Sequence, residues 1–115
     1  MKHTGSCHCG RIAFTVEGQI DEVYDCNCSM CRRRGDLLWF GPATALDLST
    51  PREHLGSYKF NRHHIDHHFC PNCGVSPFSE GVDKSGTKTV AVNVRCLPDV
   101  DLTALKITAV DGASF

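Results

Sequence analysis

Alternation of apolar and polar residues is the main structural signal in this chain. In residues 11–17 every second side chain is apolar, which is the pattern of a strand with one buried face. Residues 87–95 and 102–110 repeat this alternation, so both are predicted as strands. The apolar positions of the three strands are Ile12, Phe14, Val16, Val90, Val92, Val94, Leu105, Ile107 and Ala109.

Four shorter segments complete the predicted secondary structure. Residues 22–25, 56–60 and 65–69 are expected as short strands, and the apolar run 37–40 between two glycines fits a buried strand better than a helix. No segment shows a sustained period of 3.6 residues. The sequence therefore predicts an all-β domain of about seven to ten short strands, formed by residues 1–115 as a single unit.

Charge and composition exclude several classes of protein. A formal net charge of -1 argues against a general nucleic-acid binder. No apolar run approaches the roughly 20 residues that a membrane-spanning helix needs. The N-terminus lacks a signal peptide, so a cytoplasmic protein is expected. Eight cysteines are many for this length, and without an export signal they favour metal binding over disulfides.

The segment Cys26-Asn27-Cys28-Ser29-Met30-Cys31 carries the most chemistry. Its C-x-C-x-x-C spacing lets a short loop turn three sulfurs toward one tetrahedral zinc ion. A closed structural site needs four ligands. The fourth is either another residue or a position left open for water or substrate, which is how catalytic zinc sites are built.

Four other cysteines form two pairs that are far apart in the sequence. Cys7 and Cys9 lie between glycines, and Cys70 and Cys73 form a C-x-x-C knuckle followed by Gly74. Together they predict a closed four-thiolate zinc site that stabilises a domain with a thin core. A redox pair at Cys70 and Cys73 is the alternative, but that motif normally opens a helix beside a βαβ unit, so structural zinc is favoured.

The eighth cysteine, Cys96, follows the strand predicted at residues 87–95. It could be the fourth ligand of a second closed site with Cys26, Cys28 and Cys31. It could also be a small buried hydrophobic residue, as free cysteines often are. The second interpretation is favoured, and it leaves three protein sulfurs and an open position on the central zinc.

Four motifs in this order resemble one known family. They are Gly5-Ser6-Cys7-His8-Cys9-Gly10, Cys26-Asn27-Cys28-Ser29-Met30-Cys31-Arg32, Phe69-Cys70-Pro71-Asn72-Cys73-Gly74 and Val92-Asn93-Val94-Arg95-Cys96-Leu97. The chain resembles the glutathione-dependent formaldehyde-activating enzymes, a family that also includes the centromere protein V domain. The motifs span nearly the whole chain.

The resemblance implies a β-tent fold with two zinc ions per chain. On the family pattern one ion is structural and is held by Cys7, Cys9, Cys70 and Cys73. The second, proposed to be catalytic, is held by Cys26, Cys28 and Cys31 with an exchangeable fourth position. The family reaction joins formaldehyde to the thiol of glutathione. Asn27 stands where histidine is common, and its side chain is expected to face away from the ion.

Two further clusters could take part in the chemistry. In a strand, His64, Asp66 and His68 would share one face near Cys70 and could supply a proton donor, although an exposed polar face is the favoured interpretation. The Arg32-Arg33-Arg34 segment could bind the carboxylates of a peptide thiol, but a solvated basic turn is favoured.

The sequence thus favours a zinc-dependent carbon-sulfur lyase that acts on a small thiol adduct, with glutathione as the expected thiol partner. The adduct is S-hydroxymethylglutathione if the family reaction applies. A non-catalytic zinc module that binds a protein or nucleic-acid partner is the alternative, as the centromere-associated relatives suggest. The fourth ligand at Cys26, Cys28 and Cys31 separates them, because only an open position suits an enzyme.

Overall fold

The computed structural model describes residues 1–59 and 64–114. Within these ranges the backbone forms ten strands, one short α-helix and several single turns of 3-10 helix. The helix, α1, is Ser29–Arg34. The strands are β1 (Lys2–Ser6), β2 (Ala13–Glu17), β3 (Glu22–Cys26), β4 (Leu38–Pro42), β5 (Leu46–Leu48), β6 (Gly56–Tyr58), β7 (Asp66–Phe69), β8 (Phe78–Val82), β9 (Lys88–Asn93) and β10 (Lys106–Val110).

The strands form two sheets of different size. The smaller sheet has the order β1-β2-β5, and the larger has the order β10-β3-β4-β9-β8-β7-β6. Strand β10 pairs parallel to β3, in a register that sets Val110 opposite Cys26. The last strand of the chain therefore ends beside the first cysteine of the central motif.

The hydrophobic core joins the two sheets. Phe14 of the small sheet and Phe78 of the large sheet meet edge to face, with ring centroids 5.7 Å apart. Burying an aromatic side chain of this size contributes roughly 1.5–3 kcal/mol. Gly5 makes room for this contact, since a Cβ there would lie 2.6 Å from the Phe14 ring. The all-β fold class predicted from the sequence is confirmed, and the two sheets agree with the β-tent arrangement.

The long alternating segments were predicted well. In residues 11–17 the side chains of Ile12, Phe14 and Val16 are fully buried, and in residues 87–95 all three valines are buried. The shorter segments also contain strands, although Phe60 lies outside the described residues. Strands β1, β5 and β8 were missed because they are short or carry polar and glycine residues at most positions.

The expectation that the central cysteines lie in a loop without helix was wrong. Cys28 is the N-cap of α1 and Cys31 lies within it, while the three arginines form its last turn. Six residues are too few to show a 3.6-residue period. Gly35 ends the helix in the left-handed conformation, with φ of 74°, and its N–H donates to the Cys31 carbonyl. In the part of the chain that is described, no helix is long and apolar enough to cross a membrane.

Two predicted strands differ from the structure in which residues they bury. Only residues 106–110 of the segment 102–110 form a strand, because a 3-10 turn precedes it. Ile107 was assigned to the buried face but is 52% exposed, since β10 is at the edge of the large sheet. Phe40 was expected in a buried strand and is also exposed, with its ring against Tyr24.

Candidate metal centres

The first candidate centre lies where the two sheets meet. The sulfurs of Cys7, Cys9, Cys70 and Cys73 all lie within 4.8 Å of one another. Cys7 and Cys9 follow β1 of the small sheet, and Cys70 and Cys73 follow β7 of the large one. The sequence prediction that these four thiols come together is therefore matched by the geometry, and the resulting group connects the two sheets.

Both cysteine pairs sit in backbone turns of the same design. Gly10 and Gly74 have φ of 83° and 82°, which glycine adopts without strain. The Gly10 N–H donates to the Cys7 carbonyl, and the Gly74 N–H donates to the Cys70 carbonyl. Each turn also aims a backbone N–H at a sulfur, from Ile12 to Cys7 at 3.3 Å and from Cys73 to Cys70 at 3.4 Å. Such N–H groups stabilise thiolates.

The spacing of these sulfurs fits zinc. Four sulfurs at about 2.3 Å from one ion in a tetrahedron lie about 3.8 Å apart. The Cys7–Cys9 and Cys9–Cys70 sulfur separations are 3.7 and 3.6 Å. These distances are far longer than a disulfide bond, and all eight cysteines are free. No helix follows Cys73 as a redox motif would require.

Burial and hydrogen bonds give Cys7, Cys9 and Cys73 different pKa values. Burial raises the pKa of Cys7 to about 11. At the opposite extreme, backbone N–H groups, chiefly that of Val75, lower the pKa of the partly buried Cys73 to about 6. A hydrogen bond from the Asn72 side chain lowers the pKa of Cys9. The cluster therefore already favours thiolate at its exposed side, and a metal ion would stabilise the buried thiolate as well.

The second candidate centre lies at the end of β3 and the start of α1. The sulfurs of Cys26, Cys28 and Cys31 also lie within 4.8 Å of one another. The chain turns tightly here, because the Cys28 N–H points at the Cys26 sulfur and the Cys31 N–H donates to the Cys28 sulfur at 3.3 Å. This last bond also caps the helix. Helix capping and ligand placement thus use the same residue.

Cys28 and Cys31 differ in ionisation. Burial and the neighbouring Cys28 raise the pKa of Cys31 strongly. Burial acts to raise the pKa of Cys28 too, but the Cys31 N–H and the adjacent thiols outweigh it, so that this pKa is lowered. Of Cys28 and Cys31, Cys28 is accordingly the thiol that loses its proton more easily. The donor set of three sulfurs is one that zinc accepts.

Cys96 is separate from both sulfur groups in the described residues. It is buried at 8% exposure, and burial raises its pKa to about 12. The Asn93 side chain lies 3.8 Å from its sulfur. This agrees with the favoured interpretation of Cys96 as a small buried residue. No histidine, aspartate or glutamate of residues 1–59 and 64–114 joins either group.

A turn near the C-terminus packs against the three-thiol centre, and no sequence motif had indicated this contact. Asn27 donates from its side-chain amide to Asp111 at 3.0 Å, and its side-chain oxygen accepts from the Ala113 N–H at 3.0 Å. Between them, Gly112 approaches so closely that a Cβ there would lie 2.4 Å from the Cys26 sulfur. The Asn27 side chain therefore binds this turn rather than joining the sulfur group.

The predicted histidine face differs from the structure. His68 was assigned to an exposed polar face, but it is buried between Ser57, whose hydroxyl is 3.0 Å from Nδ1, and Glu80, which is 2.6 Å from Nε2. Asp66 pairs with Lys59 at 3.4 Å. His64 is exposed, and His63 lies outside the described residues. Among the described residues, neither His64, Asp66 nor His68 belongs to the sulfur groups.

The arginines of α1 have separate surroundings. Arg34 donates to the Ser76 hydroxyl at 2.7 Å, and Arg33 donates to the Ser29 carbonyl at 2.9 Å. Arg33 also lines a cleft of about 190 Å³ with Tyr58. The buried residue of α1 is Cys31, whereas the cleft is on its exposed side. The geometry therefore gives no direct support to a carboxylate site beside the sulfurs.

Two sheets and two separate groups of cysteine sulfurs define a small β domain with two candidate metal sites. The family model of the glutathione-dependent formaldehyde-activating enzymes matches residues 2–109, so the chain belongs to this family. The fold is also similar to the crystal structure of a Rhodobacter sphaeroides protein from a structural genomics project, at 30% sequence identity and a TM-score of 0.77. That match covers 94% of this chain and 100% of the other.

Proposed function

We propose that this protein is a zinc-dependent carbon-sulfur lyase that makes or breaks the adduct of a small thiol and formaldehyde, with glutathione as the thiol. The observation that carries the proposal is the difference between the two centres. One has four sulfurs and the other has three, and Cys96 does not complete the second group. A closed site suits a structural role, and a site with one missing ligand suits chemistry.

Cys7, Cys9, Cys70 and Cys73 are proposed to hold the structural zinc, and Cys26, Cys28 and Cys31 to hold the second zinc ion. A zinc ion at the second centre would act as a Lewis acid that favours the thiolate form of a bound thiol. The chain fixes the geometry: backbone N–H groups orient the sulfurs, and the turn at Gly112 covers the Cys26 side.

The proposed reaction forms one carbon–sulfur bond, breaks one carbon–oxygen π bond and moves one proton. The sulfur of glutathione forms a bond to the carbon of formaldehyde, the carbon–oxygen π bond breaks, and the thiol proton ends on the new hydroxyl group. The lyase direction reverses each change. Holding the two reactants at one centre replaces an encounter in solution, which is how positioning accelerates a reaction.

Family membership supports this proposal, because the family is named for a glutathione-dependent reaction with formaldehyde. The soluble reaction partners also suit a cytoplasmic protein, which remains our expectation for its location. The formal net charge of -1 argues against nucleic acid as a partner.

Exchange spectroscopy tests the catalytic proposal directly. Formaldehyde and glutathione combine without an enzyme, so the rate of adduct formation and breakdown is measured by NMR exchange with and without protein. The wild-type protein should raise the rate above the buffer value, and Cys28→Ser should not. Cys96→Ala is the matched control, because it removes a thiol outside both centres and should keep the wild-type rate.

The proposal is contradicted if zinc-loaded wild-type protein leaves the exchange rate at the buffer value. Equal acceleration by wild type and Cys28→Ser would contradict it as well, since the three-thiol centre would then play no part. In either case, the non-catalytic zinc module becomes the better account of this fold.

A further inference from the structure

A buried histidine outside both sulfur groups has no hydrogen-bond partner. His3, on β1, is only 8% exposed, and neither of its ring nitrogens has a partner in the described structure. Nearly all buried polar side-chain atoms in proteins are hydrogen-bonded, because an unsatisfied one costs free energy. The imidazole of His3 therefore needs a ligand that the described residues do not supply.

The Asp99 carboxylate lies near His3 but is too far away to form a hydrogen bond with it. His3 Nδ1 and an Asp99 carboxylate oxygen are 3.8 Å apart. This separation is too long for a hydrogen bond. It does suit two ligands of one metal ion, because nitrogen and oxygen ligands each stand about 2.1 Å from zinc. The nitrogen–metal–oxygen angle at an ion between them would be bent.

His3 and Asp99 line a cleft that is rich in carboxylates. The cleft has a volume of about 210 Å³, and Asp21 and Asp101 line it too. Its other lining residues are apolar, and no lysine or arginine is among them. Two hydrogen bonds from Thr103 hold one oxygen of Asp101, so that its second oxygen remains for a ligand. Three carboxylates without a lining cation favour a positive charge in the cleft.

We propose that this cleft is a third metal site, in which His3 and Asp99 bind a divalent transition-metal ion. The site is of the nitrogen and oxygen type and differs in chemistry from the two sulfur groups. Among the described residues no third ligand atom is close enough to form a preformed group of three. Water completes the coordination, and Asp21 and Asp101 accept hydrogen bonds from that water. Imidazole and carboxylate together suit zinc, cobalt and nickel.

Cobalt titration of protein loaded with only two zinc ions per chain, enough for the two sulfur groups, tests this site. Zinc binds more tightly than cobalt, so cobalt should leave the sulfur groups occupied and fill only the new site. We expect one additional cobalt ion per chain by equilibrium dialysis, with no sulfur-to-cobalt charge-transfer absorption. Paramagnetic NMR shifts should appear at the His3 ring and at the methyl groups of Ile20 and Leu105, which line the cleft.

Two substitutions and one control make the test specific. His3→Gln and Asp99→Asn should each weaken the additional cobalt binding by at least about tenfold. Asp99 is largely exposed, so Asp99→Asn should fold even where a change at the buried His3 does not. His64→Gln, an exposed histidine elsewhere, should change nothing. The proposal is overturned by no additional cobalt, by cobalt in the sulfur groups alone, or by binding that survives both substitutions.

Discussion

Neighbouring histidines on one strand have quite different environments. His68 is enclosed by Ser57 and Glu80, whereas His67 is partly buried beside Ser79, with its Nδ1 3.2 Å from that hydroxyl. Burial lowers the pKa of His67, and the positive charges of Arg34 and His68 lower it further. The folded state therefore resists protonation of His67.

This shift predicts how stability responds to acid. The pKa of His67 is below its ordinary value of 6.5 when folded, so the unfolded chain binds the proton more readily. Stability from neutral His67 is complete above about pH 6.5 and is lost as pH falls from there through the lower pKa of the folded state. Zinc-saturated His67→Gln should lose less free energy of unfolding than wild type between about pH 7.5 and about pH 5.5. His64→Gln is the control, and identical pH dependence for wild type and His67→Gln would contradict the prediction.

The cysteines that form each sulfur group could be predicted from their spacing in the sequence, but the surroundings of other side chains could not. Short C-x-C and C-x-x-C spacings restrict a backbone enough to bring their sulfurs together. The burial of His68 depends on Glu80, twelve residues later on the adjacent strand. His3 shows the same limit, because its cleft is formed with residues near positions 20 and 100.

At the level of elements, the second centre is assembled from three parts of the chain. Strand β3 supplies Cys26 and helix α1 supplies Cys31. The turn after β10 lies against the first half of this motif, through its bonds to Asn27 and the close approach of Gly112 to Cys26. The parallel pairing of β10 with β3 brings that turn to the cysteines. An element that carries no ligand thus shapes the centre.

Gly112 gives a prediction for this turn. In Gly112→Ala the new methyl group would overlap the Cys26 sulfur, so the turn or the sulfur must move. We expect zinc to leave the three-thiol centre about tenfold faster in the presence of a coloured chelator, while the four-thiol centre keeps its rate. Gly81→Ala is the matched control, since the nearest side-chain atom there is 3.4 Å away. Equal release rates in wild type and Gly112→Ala would show that the turn does not constrain the centre.

Element prediction succeeded where a segment was long and had one buried face, as in β2 and β9. It failed for α1, whose formation depends on a Cys28 cap and on Gly35 rather than on periodicity. It also misassigned the buried face of β10, because an edge strand has fewer neighbours to cover its side chains.

At the scale of the whole molecule, the two centres differ in how much of the fold they connect. The four-thiol centre joins the small sheet to the large one. Its two cysteine pairs are about sixty residues apart in sequence, since Cys9 and Cys70 are separated by 61 positions. The three-thiol centre spans only six residues, at one end of the large sheet. Loss of the first should therefore affect folding more than loss of the second.

Single substitutions in each centre test this difference. Cys70→Ser should lower the free energy of unfolding by more than about 4 kcal/mol or prevent folding, as expected for loss of a structural metal. Cys28→Ser should cost less than about 2 kcal/mol and leave both sheets intact. Chemical unfolding in excess zinc, followed by circular dichroism, compares them. Equal destabilisation by the two substitutions would contradict the division between a structural and a chemical centre.

The central claim is that the three-thiol centre has an open fourth position for a thiol. Cobalt-edge X-ray absorption tests it most directly, on protein with cobalt in this centre and zinc in the other. The account predicts three sulfurs around cobalt at first and four after glutathione is added, with no change after S-methylglutathione, which lacks a free thiol. Four sulfurs before any thiol is added, and no change afterwards, would contradict the claim.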